Sequence, residues 1–139
     1  MVNAQEWLDN NYPINGTCIN EDDKENYGKR REEIVELDIS NKNLEGPLAK
    51  DGGWINLPSF PKLKKLNLSN NYIRKADLAH APELTHLDVS NNQLAELNIP
   101  SKNLQELNCS DNPPLTNLSL ASDSSPQVTV LVVAFLDLL

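Results

Sequence analysis

At 139 residues the chain has room for one domain. It carries 20 acidic against 12 basic residues, a formal charge of −8. That balance argues against nucleic acid as the main partner, because phosphate binding needs a basic footprint, and against an anionic membrane surface. The acidity matches a cationic partner, and it also serves as an ordinary solubility device.

The opening stretch, Met1 to Trp7, has no basic region followed by an apolar one, so no secretory signal is expected. Residues 3–10 predict a short helix. Asn3 is the N-cap, Glu6 stands three residues on as in a capping box, and Trp7 and Leu8 give an apolar side. Tyr12-Pro13 ends it. Residues 14–28 read as a polar loop that holds Cys18 and the acidic run Glu21-Asp22-Asp23. Residues 29–33 mix both signs of charge, which predicts a solvated lead-in and not a phosphate or localisation patch. Residues 1–33 are thus expected to cap one end of the domain.

From residue 34 onward the chain repeats. Leu63 to Asn71, Leu84 to Asn92 and Leu104 to Asn112 share one frame, L-x-x-L-x-[LVC]-x-x-N, at intervals of 21 and 20 residues. A fixed period of this length signals a stacked solenoid. Within each copy, positions one, four and six alternate inward as a short strand requires. A lone strand cannot bury that side, but stacked copies share a core. The Asn at position nine ends the strand, and its amide can both donate and accept where the chain turns inward. Asn71, Asn92 and Asn112 are therefore expected to form a ladder through the stack. Ile34 to Lys42 is a fourth, degenerate copy with Lys42 at position nine, so the ladder is expected to begin one repeat later. Cys109 fills an inward position six, as a buried reduced thiol. Cys18 is expected to be unpaired, and two such thiols favour a reducing, intracellular setting, the cytoplasm.

The frame resembles the leucine-rich repeat family over residues 34–120. The phrases Asn3 to Pro13 and Glu33 to Pro47 are similar to the openings of short-repeat leucine-rich repeat proteins of fungi, mycorrhizal ones in particular. The resemblance implies a fold that is α/β by convention and mostly β. Short parallel strands would line a concave face, and partners would bind there. Only about ten residues separate each Asn turn from the next copy, too few for a helix with connections, so extended or 3-10 convex segments are expected. The repeats are expected over 34–121, with an insertion at 49–56 in the long first copy. Trp54 in that insertion either folds back on the core or stands out as an interface anchor. Pro113-Pro114 delays the next Leu by one residue, to Leu115.

The tail, 122–139, breaks the pattern and then turns apolar and β-branched. It is too short to cross a bilayer as a helix. Val128, Leu131 and Val133 match positions one, four and six of a fifth strand that would cover the last edge. The alternative is that the chain is a structural or vestigial fragment of a larger signalling protein with no independent activity.

No catalytic motif is present. His80 and His86 have no second ligand at metal spacing, and no phosphate-binding glycine loop or nucleophile elbow occurs. A non-enzymatic protein-binding module with no cofactor and no metal is expected. The candidate contacts are the outward positions three and five: Glu36, Asp38, Lys65, Asn67, His86, Asp88, Glu106 and Asn108. The serines at position seven, like the Asx residues at five, have a purely structural alternative as strand-to-strand hydrogen-bonding columns.

Overall fold

The computed structural model describes residues 1–46, 54–56, 60–79, 81–120 and 130–132, with 54–56 and 130–132 described as backbone. In chain order the elements are β1 (Val2–Asn3), α1 (Ala4–Asn11), a 3-10 turn (Arg31–Glu33), β2 (Glu36–Asp38), β3 (Leu44–Glu45) and β4 (Trp54–Asn56). Then come β5 (Lys65–Asn67), β6 (Lys75–Asp77), β7 (His86–Asp88), β8 (Glu96–Ile99), β9 (Glu106–Asn108), β10 (Asn117–Leu120) and β11 (Val130–Val132). One strand from each copy joins a five-stranded parallel sheet in the order β11-β9-β7-β5-β2. The strands between them form parallel pairs, β4 with β6 and β8 with β10. The chain therefore winds between two strand rows, as a solenoid with one copy per turn.

The register follows from the leucines. Leu37, Leu66, Leu87, Leu107 and Leu131 are direct neighbours across the main sheet. The first four are buried, as are Ile39, Leu68, Val89 and Cys109 two residues further along. A slip of one residue would turn these apolar side chains outward, so burial itself holds the register. The return segments are extended. Among the described residues the single 3-10 turn precedes the first repeat. The backbone of Trp54–Asn56 is itself a return strand, in register with Lys75–Asp77. The Trp54 side chain, and with it the choice between packing back and standing out, lies outside the described residues. So does His80.

Each inward turn depends on two residues. Position eight, Asn41, Asn70, Asn91 or Asp111, has φ between 55° and 57°, the left-handed region that Asn and Asp tolerate best after glycine. Position nine then reaches into the core. The Asn92 amide Nδ2 donates to Val89 O and Ser90 O of its own repeat and to Leu68 O of the repeat before, at 3.0–3.2 Å. Its Oδ1 accepts from Ile73 N at 3.0 Å. Asn112 repeats the pattern with Val89 O, Cys109 O and Leu94 N. Asn71 does so with Ile39 O, Leu68 O and the N–H groups of Lys42 and Leu44. The first copy, which has Lys42 at position nine, thus has its turn closed by the Asn of the second.

The N-terminal segment packs against the first repeat. Asn3 Oδ1 accepts from Glu6 N at 3.0 Å, closing the helix start. Ala4 and Leu8 join the core, and β1 pairs with β3. The mixed-charge run corrects the expectation of a solvated lead-in. Arg30 and Glu32 are exposed and paired at 3.5 Å, but Arg31 is 1% exposed. Its Nε donates to Tyr12 O at 2.6 Å, its Nη2 reaches Asp9 Oδ1 at 2.9 Å, and its guanidinium lies 5.0 Å from the Phe60 ring centroid. A guanidinium can be buried here because its fork is bonded and its face lies on an aromatic ring.

Both cysteines are buried and free. Burial raises the Cys18 thiol and pushes that of Cys109 up to about 11. The native protein should therefore leave both thiols unreacted with Ellman's reagent, and guanidinium should release two. Rapid native labelling of Cys109 would place position six on the surface. The unfolded chain ionises this thiol first, near its ordinary 9.0. Its contribution to stability is therefore intact below about pH 9 and declines as the pH rises toward about 11. Cys109→Val should make this alkaline decline shallower in denaturant melts.

Candidate partner-binding face

Strand alternation that turns Leu37, Leu66, Leu87 and Leu107 inward turns their neighbours outward. Positions three and five thus form columns on the outer face of the main sheet, with strands about 4.8 Å apart. Column five is tied to column seven. Asp38, Asn67, Asp88 and Asn108 each accept through Oδ1 from the backbone N–H and the hydroxyl of the serine two residues on. These are Asx turns within one copy, not the strand-to-strand bonds expected, and they give both columns a structural task. Ser69 is buried, while Ser40, Ser90 and Ser110 are half-buried.

Column three varies and pairs across strands. Lys65 Nζ lies 3.6 Å from Glu36 Oε1, and His86 Nε2 lies 3.5 Å from Glu106 Oε2. The Thr85 hydroxyl is 2.8 Å from His86 Nδ1. Glu36, Lys65 and Glu106 are exposed and His86 is half-buried. An exposed ion pair such as Lys65–Glu36 contributes only roughly 0.2–1 kcal/mol.

All eight outward residues line one groove of about 810 Å³. The backbone of Trp54 belongs to the opposite strand row. The groove also has a wall that the repeat frame does not foretell. Loop residues including Asn20, Asp22, Asp23, Glu25 and Asn26 line it beside β2. Asp23 fixes this loop: its Oδ2 accepts from the Tyr12 hydroxyl at 2.6 Å and from Asn26 Nδ2 at 2.8 Å. Asn26 Nδ2 also donates to Glu36 O at 2.9 Å, which ties the wall to the first strand. The Asp23-x-x-Asn26 spacing is the only local sign of this, and many solvated loops share it. Among the described residues no three of His, Cys, Asp and Glu converge as metal ligands.

Parallel strands in register, 21 and 20 residues apart over the middle copies, asparagine-closed turns and one short helix define a mostly β leucine-rich repeat fold. The Leucine Rich Repeat family model matches residues 62–80 and 83–101, two consecutive copies. No solved structure matches the chain. Repeats of this family generally mediate protein–protein interaction. No helix among the described residues is long and apolar enough to cross a membrane.

Proposed function

We propose that this chain is a non-enzymatic module that binds a protein partner through the concave outer face of the main sheet, as a scaffold or signalling component. The carrying observation is the division of labour on that face. An invariant apolar and Asx–Ser frame lies beneath a column three that changes from Glu36 to Lys65 to His86 to Glu106, all on one groove. Residues 1–33 act as its cap, 34–121 as its repeats, and the Asn71, Asn92 and Asn112 ladder as its structural spine. Two buried free thiols support an intracellular setting. The opening phrases support a kinship with the short-repeat proteins of mycorrhizal fungi.

The test is affinity capture from an extract with the chain and with a Lys65→Glu, Glu106→Lys double variant. Both changes invert exposed charges without touching the core, so the variant should fold normally and lose partners held by the parent. Identical captured sets would refute the reading. The alternative reading is a fragment of a larger repeat signalling protein without activity of its own. A reading frame that runs on from Leu139 into further repeats decides for it.

A further inference from the structure

We infer that the groove takes an extended lysine- and arginine-rich segment of the partner, a step that rests on the concave-face reading above. Column five holds charge that the fold does not need. Asp38, Asn67, Asp88 and Asn108 occupy equivalent positions and make the same two bonds. The serine N–H lies 2.9–3.1 Å from their Oδ1 and the serine hydroxyl 2.6–2.8 Å. An amide closes this turn as well as a carboxylate does. The negative charge of Asp38 and Asp88 is therefore not required by the turn, and it faces the groove.

The wall adds to that surplus. Asp23 commits both oxygens to holding its loop, through Tyr12 and through the side chain and backbone of Asn26. Asp22 and Glu25 bring two further carboxylates to the same groove. The two groove lysines are already engaged, Lys65 with Glu36 and Lys42 with its ammonium 6.0 Å from the Trp7 ring centroid. Among the described residues, seven carboxylates line the groove against two lysines. A cleft concentrates such a field and draws cations to it. The carboxylates do not converge on a point, since no three metal-ligating residues cluster among the described residues. Negative charge spread along a groove matches a row of cations better than a single ion.

Strand spacing sets the pitch of that row. Asp38 and Asp88 stand two strands apart, roughly 10 Å at about 4.8 Å per strand. A polyproline-type segment rises about 3.1 Å per residue and returns to the same face every third residue, roughly 9 Å on. A segment crossing the strands with Arg or Lys at every third residue places successive cations over Asp38 and Asp88.

The experiment titrates the full chain into a fluorescein-labelled dodecapeptide with arginine at every third position in a glycine–serine background. A glutamate counterpart is the control. Saturable binding of the arginine peptide alone is expected, weakening at least about tenfold between ~10 mM and ~300 mM salt. Asp22→Asn, Glu25→Gln and Asp88→Asn should each weaken it about two- to fivefold. Asn67→Asp and Asn108→Asp place extra charge at positions where Asp is already tolerated, and should tighten it by a similar factor. Equal binding of the glutamate peptide, or binding indifferent to both sets of variants, overturns the inference. If the Lys65→Glu, Glu106→Lys variant loses captured partners while the arginine peptide fails to bind, this inference falls and the concave-face reading stands.

Discussion

Asn92→Ala lowers the stability of the chain by about 3 kcal/mol, a fall in melting midpoint of roughly 10 °C. The side chain is 1% exposed and bridges two repeats. Its removal strips Leu68 O, Val89 O and Ser90 O of a donor and Ile73 N of its acceptor. Each bond is worth only about 1 kcal/mol net, but a buried group left unpaired costs its full desolvation. Asn92→Asp is the informative companion: a carboxylate still accepts from Ile73 N but cannot donate to the carbonyls, and it buries a charge. It should be no better than alanine. Gln93→Ala, on the exposed neighbour, should cost under about 0.5 kcal/mol. Equal melts for Asn92→Ala and Gln93→Ala would show that position nine does not hold the turns.

Arg31→Ala has an effect of similar size for a different reason. It leaves the Tyr12 carbonyl without its 2.6 Å donor and opens a void against Phe60. Asp9, its ion-pair partner, is 39% exposed and rehydrates, which keeps the cost near the lower end for a broken buried pair, about 3 kcal/mol. Arg31→Lys retains the charge and loses the fork, so it should recover less than half of that. Arg31→Met fills the space without a charge to bury and should recover more. Arg30→Ala, at an exposed pair, serves as the reference. Denaturant midpoints read all four, and an Arg31→Ala midpoint equal to that of Arg30→Ala would contradict a structural role for the buried guanidinium.

These two residues also mark what the amino-acid order makes legible. Asn92 announces itself, because it recurs at position nine of a frame whose leucines set strand, period and register together. The same frame puts Leu131 opposite Leu107, and the backbone of β11 has that register. The helix start at Asn3 is equally plain, since a cap is a local device. Arg31 carries no such mark. Its neighbours Arg30, Glu32 and Glu33 give a solvated pattern, and the groups that bury it, Asp9, Tyr12 and Phe60, come from well before and well after it in the chain. The groove shows the same division. Its floor is periodic and readable column by column. Its wall depends on Tyr12 and Asn26 meeting Asp23, a tertiary event without a period.

The direction of the asparagine bonds bears on how the chain is made. Ile73 N is satisfied by an Asn 19 residues later, Leu94 N by one 18 residues later, and Leu44 N by one 27 residues later. Each of these three turns is completed by the repeat after it. During synthesis each of these three coils waits, half closed, until the next has left the ribosome. Assembly on the ribosome then trails elongation by one full coil, and a pause within one copy leaves the copy before it unfinished.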